Sequence, residues 1–557
     1  MSAVRVASQT FKYIPPPHRA MTKQRRDSEK KQELKDAIRK PITSGKIRIK
    51  ESSSQSSDSN VPPPEPTEKS ENYYMKERLR KLEELRKLGV EPYPYSFSKT
   101  HDAAFILEEF KALVAEEKTQ EKVAVAGRIM TLRRMGRATF MHIQDQSGKI
   151  QLFLREDDLG KPAYDLVHLL DLGDIVGAAG FVFRTKMGEV SVYAQSFQVL
   201  SKAIRPLPEK FHGLKDMEIR YRKRFLDLIM NPEVRDIFVK RTKVMDVIRH
   251  ELNNRGFVEL DTPVLCPNYG GANAKPFKSH LNALNMPVYL RISNELHLKR
   301  LLVGGFEKVY EFSRDFRNEG IDRTHNPEFT MIEIYQAWVD FTAMMELMED
   351  LYISAAKAVN GSTVIQFGDH KIDLKKPWKR MTMAQAVKEY AEIDVERLSD
   401  QELFDLRTTY NLEIEGDVSR GVIIAKLFEE LVESKLIQPH IITEHPIETT
   451  PLCKPSRKTP GFVERFEPFI AGFEVGNAYS ELNDPVLQRK LLEDQAKQLR
   501  AGNQEAHPMD EDFVQAIEIG MPPAGGIGIG IDRMVMLLTN QHSIRDVILF
   551  PFMKDGE

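Results

Sequence analysis

The pattern of apolar and polar positions changes after about seventy residues. Residues 51–70 read ESSSQSSDSNVPPPEPTEKS and contain almost nothing that a core could bury. We therefore expect residues 1–70 to be a disordered, Ser/Pro-rich extension. From Met75 onward, leucines recur at every third position among charges until Gly89, which predicts an amphipathic helix within residues 71–100.

Residues 123–200 consist of short β-rich runs separated by turn-forming residues. The runs are VAVAGRI, ATFMHIQD, KIQLFLR, IVGAAGFVFR and EVSVYAQSF. Five such strands, with a helical stretch near residues 164–170, predict an OB-fold β-barrel over residues 101–205. Such barrels commonly bind single-stranded nucleic acid by stacking bases on aromatic rings, but a barrel used only for packing has the same pattern.

Beyond a linker at residues 206–222, strand-like and helix-like stretches alternate to the end of the chain. This mixture predicts one large α+β domain over residues 223–557, built on a central sheet. The patterns of residues 340–440 are mainly helical, most clearly at 346–358 and 423–434. We expect that part to be a helical insertion that packs against the sheet.

Composition narrows the class of protein. A chain of 557 residues suits two or three domains and is long enough for a large catalytic core. No apolar run is long enough to cross a bilayer, so no membrane association is expected. The only cysteines, Cys266 and Cys453, lie far apart and outside any zinc-binding pattern. They favour a reducing compartment and predict a cytoplasmic protein.

The net charge of −2 conceals an uneven distribution. Residues 1–50 carry 14 Lys or Arg against 4 Asp or Glu, leaving 66 against 78 in the remainder. A basic tail can bind polyanions through counterion release, but a merely solvated tail has the same composition. The first stretch also weakly resembles an organelle transit peptide, and a start codon misread ahead of Met75 explains it equally well.

The stretch VYEFSRDFRNEGIDRTHNPEFTMIEIYQAW, residues 309–338, is the most informative. If its second half is a strand, alternation places four side chains on one face: Phe329, Met331, Glu333 and Tyr335. Arg317 and Glu319 likewise share a face before a polar loop. A guanidinium is permanently charged and binds carboxylates and phosphates bidentately, as an adenylating enzyme requires. The alternative is an Arg–Glu ion pair that braces a hairpin.

A second group of carboxylates lies in FEPFIAGFEVGNAYSELND, residues 466–484. With a tight turn at Ile470 and Ala471, Glu467 would stand opposite Glu474 on paired strands. Two facing carboxylates repel unless a cation lies between them. Mg²⁺ is the natural candidate, because it combines one or two carboxylates with phosphate oxygens and water. Further along, alternation places three polar side chains on one face: Asn477, Tyr479 and Glu481.

Residues 522–540, PPAGGIGIGIDRMVMLLTN, alternate glycines with apolar residues before an apolar helix. Glycines let a backbone approach a ligand closely, and Asp532 and Arg533 fall in the first turn of the predicted helix. The glycine run alone is not specific, since such runs also serve strand-to-helix packing. It matches neither a Walker loop nor a dinucleotide-binding fingerprint.

Together these three stretches resemble the signature motifs of class II aminoacyl-tRNA synthetases. The order of barrel and catalytic domain resembles the subclass that activates lysine, aspartate or asparagine. Several strings are similar to the lysyl family: RYRKRFLDLI, GGANAKPF, RISNELHLKRLLVGG, FEVGNAYSELND and GIGIGIDRM. The resemblance runs from about Met75 to the C-terminus. It implies a six-stranded antiparallel sheet with helices, and a homodimer built around residues 257–263.

The resemblance also assigns roles to individual residues. It implies contacts to ATP from Arg317, Glu319, His325, Phe329, Glu467, Glu474 and Arg533. It implies contacts to lysine from Gly271, Glu295, Arg317, Glu333, Tyr335, Asn477 and Glu481. Anticodon-reading positions in the barrel match Phe140, Gln151 and Glu189, with Arg133 and Arg134 nearby for the RNA backbone.

Within these sets the implied roles are specific. Arg317 and Arg533 are the catalytic residues, and Glu467 and Glu474 hold Mg²⁺. Phe329 and Arg533 enclose adenine between them. Glu295, Glu333 and the Gly271 backbone fix the α-ammonium of lysine. The ε-ammonium is received by Tyr335 and Glu481, with Asn477 alongside. Carboxylates suit such a substrate, because a buried ammonium must be paired.

The implied function is that of a lysine–tRNA ligase. Lysine attacks the α-phosphate of ATP through its carboxylate, and the terminal ribose hydroxyl of tRNA(Lys) then attacks the adenylate, without a protein nucleophile. Three rivals remain: a paralogue that attaches lysine to a protein, an RNA-binding protein on an inactive scaffold, and specificity for aspartate or asparagine. The barrel opposes the first, and the intact charged residues oppose the second.

The sequence departs from the family pattern at two places. Ser279, His280 and Leu281 stand where many relatives have Thr-His-His. Thr324 precedes His325 where some bacterial relatives have Arg, a charge that Arg323 could supply instead. These departures concern the contacts to the γ-phosphate of ATP.

Overall fold

The computed structural model describes residues 68–208, 214–414, 418–500 and 508–554. The expectations for residues 1–67 lie outside the described residues. Helix α1, Glu68–Lys87, is followed by the short helix α2, Ala103–Glu109.

Helix α1 is amphipathic, as predicted, but shorter than residues 71–100. It begins at Glu68, within the stretch expected to be disordered, and ends at Lys87, so residues 88–100 are not helical. Leu82 and Leu85 are buried, whereas Leu79 and Leu88 are exposed. Because a helix has 3.6 residues per turn, leucines spaced three apart drift around its axis, so only the middle two face the core.

Five strands form a closed barrel, and the predicted OB-fold is confirmed. The strands are β1 Lys118–Met135, β2 Ala138–Gln144, β3 Lys149–Arg155, β4 Ile175–Arg184 and β5 Val190–Ser201. Their order around the barrel is β1-β2-β3-β5-β4, and only the β3–β5 pair is parallel. Between β3 and β4 lie helices α3 Glu156–Leu159 and α4 Lys161–Asp165 and a 3-10 turn at Leu166–Leu169. Leu85 of α1 packs into the barrel core.

The second domain contains the remaining strands. They are β6 Val258–Glu259, β7 Leu265–Cys266, β8 Lys278–Leu281, β9 Met286–Leu290, β10 Lys308–Phe316, β11 Glu328–Ala337, β12 Val364–Phe367, β13 His370–Asp373, β14 Lys379–Thr382, β15 His440–Pro446, β16 Phe462–Ile470, β17 Phe473–Glu474, β18 Gly476–Ser480 and β19 Ala524–Gly530. The main sheet has the order β14-β15-β16-β18-β19-β11-β10-β6, with β17 paired to β16.

The six central strands of this sheet are antiparallel, which confirms the predicted core of the fold. They run from β15 to β10, and strands β14 and β6 extend the edges in parallel. The two edge strands are short. Each therefore contains too few alternating apolar and polar residues to be predicted from the sequence.

Helices cover the sheet. They are α5 Met217–Arg222, α6 Arg224–Met230, α7 Glu233–Asn254, α8 Glu295–Val303, α9 Phe341–Asn360, α10 Met383–Ala391, α11 Asp400–Thr409, α12 Arg420–Leu431, α13 Pro485–Arg500, α14 Glu511–Gly520, α15 Ile531–Thr539 and α16 Ile544–Val547. Apolar side chains of α7, α9 and α15 pack against the sheet in the main core. None of the described helices is both long and apolar enough to cross a membrane.

Residues 340–440 differ from the expected helical insertion. Helices α9 to α12 lie there, but strands β12, β13 and β14 interrupt them. The sequence VIQFGDHKID alternates apolar and polar residues around a turn at Gly368, whose φ of +55° suits glycine. That two-residue hairpin was hidden between two strongly helical segments.

The predicted linker at residues 206–222 is partly a packed helix. Helix α5 lies within it, and the Tyr221 hydroxyl donates a hydrogen bond to Asp546 Oδ1 at 2.9 Å. Barrel and sheet domain also make direct contact. Gln144 Nε2 donates to the Ile229 carbonyl at 3.1 Å, and Arg235 Nη1 donates to the Asp145 carbonyl at 3.0 Å.

Candidate active site

A cavity of 370 Å³ lies on the central strands of the sheet. The predicted catalytic-domain site residues all line it: Gly271, Glu295, Arg317, Glu319, His325, Phe329, Glu333, Tyr335, Glu467, Glu474, Asn477, Glu481 and Arg533. They come from four strands, two helices and the loops between them. One cavity therefore holds the residues of all three sequence stretches.

Strand β11 forms the floor of the cavity. Its alternation places Phe329, Met331, Glu333 and Tyr335 in the lining, as the sequence predicted. The Tyr335 hydroxyl donates to Glu333 Oε2 at 3.0 Å. Burial, followed by the negative charges of Glu295 and Asp315, raises the pKa of Glu333 to about 8. A cationic ligand group would reverse that shift.

Arg317 lies at the end of β10 and not within the strand. The strand ends at Phe316, and the Arg317 amide donates to the Pro327 carbonyl at 3.0 Å. Its guanidinium lies 5.0 Å from the centre of the Phe329 ring, and its buried Nε has no hydrogen-bond partner. The Glu319 carboxylate accepts from the Lys275 amide at 3.3 Å. The rival Arg317–Glu319 ion pair is not among the ion pairs of the described residues.

A short chain of polar contacts links the loop after β10 to helix α15. His325 Nδ1 donates to Asp322 Oδ2 at 2.8 Å, and Arg533 Nη2 donates to His325 Nε2 at 3.3 Å. Arg533 also donates to the Glu474 carbonyl at 2.5 Å. Partial burial of Asp322 opposes its charge, but hydrogen bonds from His325 and Thr324 outweigh that effect and lower its pKa. Arg533 is thereby held at the rim of the cavity.

Helix α15 is fixed on β11 through Asp532. The Asp532 carboxylate accepts from the Thr330 amide at 2.7 Å and pairs with Arg241 Nη1 at 2.5 Å. Arg241 also donates to Thr330 Oγ1 at 2.9 Å. Because Arg533 follows Asp532 directly, this buried contact sets where its guanidinium lies.

The two predicted metal-binding carboxylates both line the cavity, but their register differs from the prediction. The turn is formed by Ala471 and Gly472, whose φ values are positive, and Glu474 pairs with Phe469 in place of Glu467. Glu467 lies two residues from Phe469, so strand alternation still places both carboxylates on one face.

This pair of carboxylates fits a divalent cation. Burial and then the charge of Glu467 raise the pKa of Glu474, as expected for carboxylates that repel one another. The charges of the same two carboxylates also act on Glu433, in the turn Glu433–Lys435. Burial, then Glu467 and Glu474, raise its pKa to about 8. Arg465 and Arg533 each pair with one of the two lining carboxylates and neutralise part of the charge.

No cluster of three or more metal-ligating side chains occurs among the described residues. That is compatible with Mg²⁺, which usually takes one or two carboxylates and fills its shell with phosphate oxygens and water.

The glycines of β19 make room for side chains of the neighbouring strands. A Cβ on Gly526 would lie 2.1 Å from Glu481 Oε1 and 2.4 Å from Tyr335 Cε1. A Cβ on Gly528 would lie 3.0 Å from Met331 Cε. The sequence suggested glycines that approach a ligand. Gly526, Gly528 and Gly530 do line the cavity, and Gly526 also lets Glu481 and Tyr335 lie across the strand.

Behind the inner end of the cavity lies a buried lysine that was not predicted from the sequence. Lys299 Nζ lies 2.5 Å from Glu295 Oε1 and 2.5 Å from Glu481 Oε2. Glu295 and Lys299 are one turn apart on α8, a spacing that was visible in the string NELHLK. Glu481 Oε1, in contrast, is buried without a hydrogen-bond partner.

Asn477 lines the cavity together with Tyr479 and Glu481, as alternation predicted, and it also contacts a residue that was not predicted from the sequence. Arg465 Nε donates to Asn477 Oδ1 at 3.1 Å, and its guanidinium pairs with Glu467. Asn477 therefore belongs to the Glu467 end of the cavity. Arg465 precedes Glu467 by two positions on β16, so strand alternation could have identified it.

The barrel presents a separate group of polar and aromatic side chains. Gln151 Nε2 donates to Glu189 Oε2 at 2.7 Å, and His142 Nε2 lies 2.7 Å from Glu189 Oε1. Phe140 stacks on Phe153 with ring centres 4.5 Å apart. Rings and amide or carboxylate groups on one barrel face are typical of sites that bind unpaired bases.

The two predicted arginines of the barrel differ from each other. Both are exposed near the end of β1, but only Arg134 makes side-chain hydrogen bonds to the barrel backbone. Arg134 donates through Nη2 to the carbonyls of Val167 and Leu170, at 3.0 and 2.8 Å. The structure thus gives Arg134 a bracing contact within the barrel.

Comparison with known proteins identifies the family. The model for tRNA synthetases class II (D, K and N) matches residues 216–554, and the model for the OB-fold nucleic acid binding domain matches residues 123–200. Lysine–tRNA ligase of Pelotomaculum thermopropionicum is 51% identical over 489 residues, 87% of this chain and 96% of the relative. The chain belongs to the lysine–tRNA ligase family of class II tRNA synthetases.

Other relatives of this synthetase agree. Lysine–tRNA ligase of Moorella thermoacetica is 51% identical over 490 residues, and that of Oceanobacillus iheyensis is 50% identical over 486 residues. Each match covers 87% of this chain and 99% of the relative. The resemblance seen in the sequence motifs is confirmed.

Of the residues at the two departures from the family pattern, Thr324 lines the cavity of this synthetase, whereas the three on β8 do not. Ser279, His280 and Leu281 belong to β8, and His280 Nε2 lies 3.1 Å from Asn285 Oδ1. Arg323 contributes its carbonyl, which accepts from the Ile544 amide at 2.8 Å. Neither His280 nor Arg323 lines the cavity.

Proposed function

We propose that the protein is a lysine–tRNA ligase that activates L-lysine with ATP and transfers it to tRNA(Lys). The observation that carries this proposal is the inner end of the cavity, where Glu295, Glu333 and Glu481 are 4%, 6% and 0% exposed. Buried carboxylates need cationic partners, and Lys299 supplies one. The α- and ε-ammonium groups of lysine would supply the other two.

An aspartate or asparagine substrate does not suit this end of the cavity. Its side chain would meet the unpartnered Glu481 Oε1 and the buried Glu333. The second carboxylate of aspartate would add repulsion in a place where solvent cannot screen it, and the neutral amide of asparagine would leave a buried carboxylate without a cationic partner. The charge of the pocket therefore supports lysine within the group of enzymes that activate these three amino acids.

Activation needs the lysine carboxylate and the α-phosphate to be close together. Arg317 is suited to grip both, because its buried Nε is unpaired and its guanidinium is fixed over Phe329. The lysine carboxylate attacks the α-phosphorus, the bond to the β-phosphate breaks, and pyrophosphate leaves. A terminal ribose hydroxyl of tRNA then attacks the lysyl carbonyl and releases AMP.

Glu467 and Glu474 would hold Mg²⁺, which would neutralise phosphate charge when bound. Arg533 would contact the nucleotide at the rim, next to His325. One face of the Phe329 ring carries Arg317. Adenine would therefore stack on the other face of that ring.

The barrel would read the anticodon. Phe140 offers a ring for stacking, and the Gln151 and Glu189 pair offers hydrogen-bonding groups for a splayed base. Arg133 and Arg134 are both exposed and would contact the RNA backbone, although Nη2 of Arg134 is already bonded to two carbonyls of the barrel. This arrangement opposes the paralogue that modifies proteins, which lacks a barrel.

We also propose a homodimer in the cytoplasm. Around the dimer-forming motif, Val258, Val264 and Leu265 are 45%, 39% and 53% exposed, although valine and leucine prefer burial. Strand β6, which contains Val258, lies at an edge of the sheet. Cys266 and Cys453 are free thiols, which suits a reducing compartment.

The proposal is tested by amino-acid-dependent exchange of pyrophosphate into ATP, with lysine, aspartate and asparagine supplied separately. We expect exchange with lysine alone, and we expect Glu481→Gln to raise the KM for lysine. A folded, magnesium-supplied protein that exchanges with none of the three would favour an inactive scaffold. Exchange with aspartate or asparagine would overturn the assignment of the substrate.

A further inference from the structure

Lys299 carries an inference that goes beyond the residues expected to touch the substrate. It is 0% exposed and lies behind the cavity wall, whereas its two partners, Glu295 and Glu481, line the cavity. Its Nζ is 2.5 Å from one oxygen of each. The two bridged oxygens therefore lie at most twice that distance apart, fixed by a single ammonium.

We propose that Lys299 is a positioning residue that sets the preference for lysine. Its ammonium fixes the spacing of the Glu295 and Glu481 carboxylates and cancels one of the three negative charges of the pocket. This inference rests on the proposed function, because it assigns those carboxylates to the two amines of a lysine substrate.

The balance of charge supports this role. Glu295, Glu333 and Glu481 can carry three negative charges, while lysine brings two ammonium groups to this end of the cavity. With Lys299 charged, positive and negative groups are equal in number when lysine is bound. Without it, one buried carboxylate would lack a partner or take up a proton, and its hydrogen bond to an ammonium would be lost.

The geometry limits what else Lys299 could do. Burial disfavours its charge, but the charges of Glu295 and Glu481 outweigh burial and raise its pKa. It therefore stays an ammonium and has no lone pair with which to act as a nucleophile or base. Glu481 packs closely against Gly526 on one side. Its contact with Lys299 therefore sets where the carboxylate lies.

If Lys299 only stabilised the fold, replacing it would not change the preference of the enzyme between two amino acids. The test therefore compares lysine with ornithine, which is shorter by one methylene. Lys299→Met removes the ammonium at similar volume, and Lys299→Arg keeps the charge but alters the spacing. In pyrophosphate exchange we expect Lys299→Met to raise the KM for lysine about 10- to 100-fold. In both variants the kcat/KM for lysine divided by the kcat/KM for ornithine should be lower than in the parent protein. The KM for ATP should be unchanged.

The barrel provides a matched control. Lys202 is also buried, at 2% exposed, and also bridges two carboxylates, those of Asp171 and Asp174, at 2.5 and 2.8 Å. Lys202→Met should lower the melting temperature without changing the KM for lysine or the ratio. Lysine-induced thermal stabilisation provides a second readout that does not need turnover.

The outcomes separate the two proposals. If the parent protein shows no lysine-dependent exchange, the proposed function fails. If the parent exchanges but folded Lys299→Arg keeps the parental ratio, Lys299 is only a brace and this inference is overturned. Should Lys299→Met fail to fold, the ratio measured for Lys299→Arg decides alone.

Discussion

Adding one methyl group to β19 should disable the lysine end of the cavity. In Gly526→Ala the new Cβ would lie 2.1 Å from Glu481 Oε1 and 2.4 Å from Tyr335 Cε1. Both side chains are buried, at 0% and 2% exposed, so neither can move into solvent. Overpacking of this kind costs about 1–3 kcal/mol of stability. The displaced Glu481 should also lose about 1.5–3 kcal/mol of charge-assisted hydrogen bonding to lysine, or about 10- to 100-fold in KM.

The same strand supplies graded controls. In Gly528→Ala the nearest atom is the flexible end of Met331 at 3.0 Å, and in Gly530→Ala it is Arg533 Cβ at 3.8 Å, an ordinary contact. The assay is pyrophosphate exchange at varied lysine concentration, with melting temperature measured in parallel. The KM for lysine should rise most in Gly526→Ala, less in Gly528→Ala and little in Gly530→Ala. A parental lysine KM in Gly526→Ala, or equal losses in all three variants, would refute the reasoning.

Four further experiments should separate the parts of the enzyme. Arg317→Lys should lower kcat of pyrophosphate exchange by about 100-fold, because a lysine cannot bind two oxyanions bidentately; an unchanged kcat would exclude that role. The KM for lysine should fall by up to about tenfold per pH unit between pH 6 and 8, because Glu333, with its pKa raised to about 8, must lose its proton to pair with an ammonium. A flat profile would show that Glu333 stays charged. Gln151→Ala should raise the KM for tRNA in aminoacylation while exchange without tRNA stays parental, and lost exchange would point to misfolding instead. Deleting residues 1–70 should spare lysine activation and at most weaken tRNA binding at low salt; loss of activation would contradict this.

The sequence predicted the parts of the site that follow a strand period. Alternation along β11 correctly placed Phe329, Met331, Glu333 and Tyr335 in the cavity. It did so because a strand buried on one face must present every second side chain to the same side. The barrel and the six antiparallel strands were likewise predicted, through the barrel pattern and the family resemblance. The roles assigned to these residues stay predictions.

Contacts between distant parts of the chain could not be read in the same way. The pairing of Lys299 with Glu481 joins α8 to the end of β18. No local pattern encodes such a contact. The pairing of Lys299 with Glu295, one turn apart, was within reach, but a Glu–Lys spacing on a helix usually marks a solvated face.

Local turn chemistry explains the remaining differences. The turn after β16 lies one residue later than predicted, because Ala471 and Gly472 both adopt positive φ. The hairpin at Gly368 was obscured by the strongly helical segments on either side. Both errors arise where two or three residues decide the direction of the chain, which is where sequence patterns carry least information.

The central claim is that this cavity attaches lysine to tRNA, and aminoacylation of total tRNA tests it most directly. Purified protein would be supplied with ATP, magnesium and each standard amino acid in turn, beside Glu481→Gln. The account predicts charging with lysine alone, on tRNA(Lys), and a strongly raised lysine KM in the variant. Charging with another amino acid, or equal charging by parent and variant, would contradict it.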